Sequence, residues 1–432
     1  MTNQMTPVKN ILLLHTSPVL RRDANTISEH IASFARHSRF NIWNWNAELG
    51  FPDLGGLEFD IIIFHYSFFG IFSGDYETYV QRVNSFLQKI KPKYKIAFFQ
   101  DEYYYCPKRF DFINRFQVDC IYTLIEPEYF KDTYERYTSA RKIIHTIPGY
   151  VMDDLVQTAN EMRLSYEERP YDIGYRARRL PYYNGKGAQE KTEIALTFKE
   201  KAAGYHLKLN VEVDEDKRIY GNDWNRFVAG CRGMLGVEAG VSVFDLEDKV
   251  RLKYEEMMRQ NPDMTFDEFS ESFLKDWEDN VYYRMISPRH FEAAAFKVCQ
   301  ILYEGKYSGI LQPMKHYIPL KKDFSNLDEV IRLFQDQRVW EEITGQAYRD
   351  LIESGRYSYQ KFIESFDQEL MKEGFQPVHT SSDIEQVQQI LLRNQRRKKL
   401  QYHIRYYRNR NFPGRALLVK YVKNPLMTLL KK

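Results

Sequence analysis

Short apolar runs recur between amphipathic stretches along most of this chain, and that alternation limits it to few architectures. Phe59-Asp60-Ile61-Ile62-Ile63-Phe64-His65 is the strongest run. Val8 to His15, Phe40 to Trp45, Tyr94 to Phe99, Val118 to Leu124 and Lys142 to Ile147 complete a first series. Asn25 to Arg36 and Asp75 to Lys89 lie between them with helical spacing. Strands that are apolar on both sides must be covered on both faces, which requires parallel pairing beneath helices. A second series starts near Tyr171. Its strands are Asp172 to Arg176, Leu207 to Val213, Gly233 to Val237 and Val298 to Leu302, and its helices are Gly187 to Ala203 and Asn222 to Cys231. Asn326 to Gln335 and the segments from Trp340 to Glu373 are helical as well. The expected fold class is therefore α/β, with two Rossmann-like domains facing across a cleft. Residues 1–165 form the first domain. Residues 166–378 form the second, with a helical insertion at 245–286, and 379–432 form a basic helical tail. A length of 432 residues agrees with two cores.

Composition excludes several classes. Four cysteines, Cys106, Cys120, Cys231 and Cys299, are scattered without a CxxC pair. That argues against a zinc site or a disulfide framework and fits a reducing cytoplasm. No signal peptide is evident, and no apolar run is long enough to span a bilayer. The net charge of +3 hides an asymmetry. No Asp or Glu follows Glu385, whereas 13 Lys and Arg lie between Arg393 and Lys432, which leaves the rest of the chain at −10. Basic residues interleaved with Ala416-Leu417-Leu418-Val419 and Leu426-Met427-Thr428-Leu429-Leu430 suit either an anionic lipid surface at the inner face of the cell membrane or a solvated terminal helix. Nucleic acid is not expected as a partner, because the remainder is acidic.

Ligands of open parallel sheets bind beyond the carboxyl ends of the strands, so chemistry is sought there. Arg176, Arg178 and Arg179 follow one strand, with Lys186 and Lys191 close behind. Such a cluster near a helix start forms a diphosphate site or a solvated turn. Neither GxxxxGK[ST] nor GxGxxG is present. In Ser287-Pro288-Arg289-His290-Phe291-Glu292, Ser287 can cap a helix and Pro288 fits its first position. Glu292 near that helix start can accept from a ribose diol or simply complement the helix dipole. Glu238, in Gly236-Val237-Glu238-Ala239-Gly240, can bond a sugar hydroxyl, or the glycines can make a tight turn. His65 and Asp101-Glu102 end two strong strands, where His65 or Asp101 can act as base on an acceptor hydroxyl or position it.

Asp172 to Arg178, Gly187-Ala188-Gln189-Glu190-Lys191, Arg218 to Trp224, Leu235 to Gly240, and Ser287 to Ala295 with Glu304-Gly305-Lys306-Tyr307 resemble bacterial glycosyltransferases of the GT-B fold. These are group 1-like enzymes of surface polysaccharide and glycan biosynthesis, and the resemblance spans residues 170–335. It implies a transferase that moves a sugar from a nucleoside diphosphate sugar to a saccharide or lipid-linked acceptor. Arg176, Arg178 and Lys191 would meet the diphosphate and Glu292 the ribose. No metal and no cofactor beyond the donor substrate would be needed. Two departures stand out: Ala177 occupies the place of a glycine, and Glu238 and Glu292 do not keep the paired-Glu spacing. A non-catalytic nucleotide-sugar-binding protein and a sugar-nucleotide epimerase of the same fold are the alternatives.

Overall fold

The computed structural model describes residues 5–20, 24–378 and 381–409. Their strands, in chain order, are β1 (Thr6–Val8), β2 (Ile11–His15), β3 (Ile42–Asn46), β4 (Ile61–Phe64), β5 (Tyr94–Phe98), β6 (Cys120–Thr123), β7 (Lys142–His145), β8 (Tyr171–Arg176), β9 (Leu209–Glu212), β10 (Cys231–Gly236), β11 (Ala239–Val241), β12 (Tyr283–Met285), β13 (Cys299–Tyr303), β14 (Ile318–Leu320) and β15 (Phe375–Pro377). The chain divides into two compact units. The first draws on residues 1–23, 34–97 and 367–432, and the second on 24–33 and 98–366.

In the first unit, β2 pairs in parallel with β3 on one side and β4 on the other, and β4 pairs with β5. The strong run anticipated around Ile61 is β4, and all four of its side chains are buried. Helix Tyr76–Ile90 starts where the Asp75 carboxylate accepts from the Thr78 N–H at 3.2 Å. Val80, Val83, Phe86, Leu87 and Ile90 recur at helical spacing and make its buried face. The helix stops at Lys91, whose φ of 46° is left-handed. The short β1 pairs in parallel with β15, so the segment after residue 367 returns to this unit. Helix Ser381–Asn409 follows it. The apolar tail segments at 416–419 and 426–430 lie outside the described residues. Among the described residues, no helix is long and apolar enough to cross a membrane.

The second unit holds the parallel pair β6–β7 and a five-stranded parallel sheet of order β9-β8-β10-β13-β14. Numbered from β8, that order is 2-1-3-4-5, a doubly wound Rossmann-like arrangement. Helices cover both faces, as fully apolar strands require. On one face Ile173, Leu235 and Ile301 meet Ile194, Phe198, Ile331 and Phe334. On the other, Cys231, Met234 and Leu302 meet Val228, Phe291, Ala294 and Leu351. The small residues of Ala293-Ala294-Ala295 let that helix lie close against the sheet. Each fully buried Ile, Leu or Phe contributes about 1.5–3 kcal/mol by leaving water.

The expected helical insertion at 245–286 is only partly helical. Lys249–Gln260 and Phe266–Phe269 are helices around a small core of Val243, Val250, Met264, Phe269 and Leu274. Its end is β12, antiparallel to β11. Tyr283 and Met285 alternate inward there, a period of two too short to stand out beside a charged helical stretch. Gly240 in β11 has φ +90°, and a Cβ there would collide with the Tyr283 carbonyl. Gly240 thus serves this tight strand pair, whereas Gly236 ends β10 with its α-carbon against the Leu302 side chain.

Candidate functional site

The order of the five-stranded sheet reverses between β8 and β10. Connections leave these neighbouring strands on opposite faces, so a crevice opens beyond their carboxyl ends. Ala177 to Arg179 follow β8 there, Val237 and Glu238 follow β10, and Glu304 to Ser308 follow β13. All belong to the second unit, as do Asp101, Lys191 and Glu292.

Lys191 projects from helix Lys186–Lys201, and its ammonium donates to the Gly240 carbonyl at 2.7 Å. Burial and the nearby Arg289 and Arg178 guanidinium groups push it down to about 8, against the pull of Asp101. Asp101 lies in a recess: protein surrounds it on most sides, yet water still reaches its side chain. Burial raises its carboxyl group, opposed by Lys191, Arg178 and Arg109. Asp101, Arg178, Lys191 and Arg289 are therefore one electrostatic group. The loop that carries Asp101 is held rigidly. Asp101 and Tyr105 have left-handed φ values of 50° and 54°. The Asp245 N–H donates to the Tyr103 carbonyl at 2.9 Å, and the Tyr105 N–H donates to the Asp248 carboxylate at 2.8 Å. Beneath the loop, Glu102 is fully buried and structural. Its carboxylate accepts from the Thr123 hydroxyl and the Leu124 N–H at 2.8 Å each, and from the Tyr134 hydroxyl. Arg109 braces the same loop by donating to the carbonyls of Glu102 at 2.7 Å and Tyr104 at 3.2 Å.

Glu292 sits on helix Pro288–Ala295. Ser287 caps that helix by accepting from the Arg289 N–H at 3.2 Å, and His290 Nδ1 accepts from the Ser287 N–H at 3.0 Å. Glu292 Oε2 accepts from Trp224 Nε1 at 2.8 Å, which leaves Oε1 without a partner among the described residues. Burial raises the carboxyl group, and Trp224 and Arg289 pull the other way. Arg289 thus bears on both Glu292 and Lys191. Its guanidinium stacks 5.2 Å from the Trp224 ring and donates to the Arg176 carbonyl at 2.6 Å.

The other candidates are placed differently. The Arg176 guanidinium donates to the carbonyls of Tyr175 and Asn210 and to Asn210 Oδ1, and lies 4.3 Å from the Phe227 ring. It holds β8 to β9 instead of facing the cationic group. The exposed Arg178 remains within that group. Glu238 Oε1 accepts from the Tyr307 N–H at 2.7 Å, and Oε2 accepts from the Tyr282 hydroxyl at 2.8 Å. Gly305 makes room for it: a Cβ there would lie 2.7 Å from Glu238 Oε2. Glu238 thereby fixes a loop in which Tyr307 and Ser308 both have left-handed backbones. His65 belongs to the first unit and is fully buried, and its Nδ1 accepts from the Ser67 N–H at 3.1 Å. The start of helix Lys186–Lys201 is already occupied: the Lys186 N–H donates to Glu278 and the Gly187 N–H to the Ser242 hydroxyl, each at 2.7 Å. Arg289 and Trp224 were present in the motifs read from the sequence but carried no assigned role. Their signal was a cation one residue past the proline that opens the Glu292 helix, and an indole in a short helix before β10.

No protein-family model and no curated protein matches the chain. Its fold is similar to that of several solved structures. One is an alpha-glucosyltransferase bound to UDP and a 13-mer DNA containing an HMU base, at 10% identity and TM-score 0.48, over 85% of this chain and 100% of that one. Another is HepE of Anabaena bound to UDP and glucose, at 9% identity and TM-score 0.44, over 84% and 99%. A third is sucrose-phosphate synthase of Thermosynechococcus elongatus, with the same identity, TM-score and coverage. These neighbours are glycosyltransferases of the GT-B type.

Proposed function

We propose that this chain is a glycosyltransferase that uses a nucleoside diphosphate sugar. The observation that carries the reading is the group at the switch point between β8 and β10. Three cations, Arg178, Lys191 and Arg289, gather there beside a buried carboxylate with one unpaired oxygen, Glu292. A diphosphate needs clustered cations, and a ribose diol needs an acceptor held next to them. In this reading Arg178, Lys191 and Arg289 grip the diphosphate, Arg176 holds Arg289 through its carbonyl, and Glu292 accepts from the ribose.

The acceptor hydroxyl attacks the anomeric carbon, and the bond from that carbon to the diphosphate oxygen breaks. Negative charge grows on the leaving diphosphate, and the side-chain cations stabilise it without a metal. Asp101, in the same recess, is the candidate to orient the hydroxyl or take its proton. Glu238 acts at one remove, as the positioning residue for the 304–308 loop. The acceptor is proposed to be a saccharide or a lipid-linked saccharide in surface glycan assembly. Residues 1–385, at −10, repel a nucleic acid backbone. Four free, buried cysteines suit the cytoplasm, and the basic carboxyl-terminal segment suits peripheral contact with the inner membrane face.

The test is calorimetric titration with UDP, GDP, ADP and CDP, followed by turnover of the matching nucleotide sugars with a panel of saccharides. One nucleotide bound, and its sugar transferred, is the expected result. No binding by any of the four overturns the reading. Binding without transfer or hydrolysis makes the chain a nucleotide-sugar-binding protein, and conversion of donor alone makes it an epimerase.

A further inference from the structure

A groove of about 1000 Å³ opens in the first unit, built of residues that take no part in the donor site. Asp60, just before β4, and Lys93, just before β5, border it. It therefore lies along the amino-terminal edge of that sheet, opposite the edge that carries His65. Segment 51–60 and the end of helix Tyr76–Ile90 form the floor and one wall, and helix Ser381–Asn409 supplies the other. That helix is seated by buried Val387 and Leu391. Asn394 clamps it by accepting from the Asp53 N–H at 3.0 Å and donating to the Asp53 carbonyl at 2.7 Å.

Arg82, Lys89, Lys91, Arg397 and Lys398 line this groove, and none is within hydrogen-bond or ion-pair distance of a described partner. The acid nearest the sheet is already committed. Asp60 holds the Lys93 ammonium at 2.7 Å and the Lys9 N–H at 2.8 Å. Lys89 and Lys91 complement the carboxyl end of their helix. That accounts for two of the five cations but not for Arg82, Arg397 and Lys398, which come from other turns and another helix. Lys398 is half-buried; burial, Arg397 and Arg405 disfavour its charge, while Asp53, which lines the groove along with Glu58, pulls the other way and leaves the lining cations in excess of the acids. Like charges held around one groove repel each other until an anion enters. Buried Leu54, Phe86 and Ile90 give the groove an apolar bottom.

We propose that this groove binds a phosphate ester, with the phosphate on the cationic rim and the remainder of the ligand over the apolar floor. The ester can come from a soluble sugar phosphate or from an anionic lipid headgroup. The test uses the full chain. Binding of glucose 1-phosphate and of pyrophosphate is measured by calorimetry. Sedimentation is measured with vesicles of phosphatidylcholine, with and without phosphatidylglycerol. The variants are R82E/K89E on exposed positions of one wall and R397Q/K398Q on the other. R396Q/K399Q is the control, removing the same charge from the same helix outside the groove. Groove variants are expected to lose at least about tenfold in affinity, and the control less than about twofold. Loss confined to the soluble ligands identifies a free phosphate ester, and loss confined to phosphatidylglycerol vesicles identifies a headgroup. Equal losses in groove and control variants overturn the proposal, as does wild-type protein that binds neither class. Circular dichroism of each variant separates these outcomes from misfolding.

Discussion

Replacing Lys191 by Met should stabilise this protein and disable it together. Its ammonium is pushed from the ordinary lysine value of 10.5 to about 8, chiefly by burial. Holding that charge in the folded state costs about 3 kcal/mol at neutral pH. Methionine removes the cost and keeps most of the side-chain volume, but it deprives the Gly240 carbonyl of its donor, a loss of about 1–2 kcal/mol. The net gain near pH 7 is about 1 kcal/mol, which raises Tm by about 1 °C for a chain of 432 residues. The sign of the pH dependence follows from the lowered pKa. Between about 8 and 10.5 the unfolded chain binds more protons than the folded one, so wild-type stability rises with pH through that window. The advantage of K191M should shrink above pH 8, vanish at about pH 9–9.5 and be fully reversed by pH 10.5, where only the lost hydrogen bond remains. Differential scanning calorimetry across that range measures it, with turnover followed in parallel and expected to fall about a hundredfold. A variant that is less stable near neutrality, with a Tm difference flat in pH and activity within about threefold of wild type, would refute the reasoning.

Arg178→Ala should lower turnover by about two orders of magnitude, or about 3 kcal/mol, with little change in stability because the side chain is exposed; steady-state kinetics and a melting curve check both. Gly305→Ala should destabilise by about 1–3 kcal/mol, since its Cβ would sit 2.7 Å from Glu238 Oε2, and denaturant unfolding reads the loss. Glu102→Ala should cost about 3–5 kcal/mol in the same assay, because it strands buried donors from Thr123, Leu124 and Tyr134 beside the buried Arg109.

Alternation made both parallel sheets legible, because a strand buried on both faces has few other readings. The start of the Glu292 helix was legible too: Ser287 and Pro288 act through local backbone geometry alone. Side-chain direction was not. Arg176 and Arg178 are equivalent as letters, yet Arg176 ends a strand and turns across to Asn210, while Arg178 lies beyond the strand end. Glu102 reads like Asp101, but only the fold shows one carboxylate saturated beneath the loop and the other in the recess. Arg289 escaped notice because its partners, the Trp224 ring and the Arg176 carbonyl, are brought to it only by the packing of separate segments.

The central claim is that Glu292 accepts from the ribose of a nucleotide whose diphosphate lies on Lys191, Arg178 and Arg289. A calorimetric cycle tests it most directly, using the nucleoside diphosphate that binds, its dideoxyribose counterpart, the wild-type protein and Glu292→Ala. Removing the ribose hydroxyls should weaken wild-type binding about tenfold or more and leave the affinity of E292A nearly unchanged. Equal losses in both proteins would contradict the account.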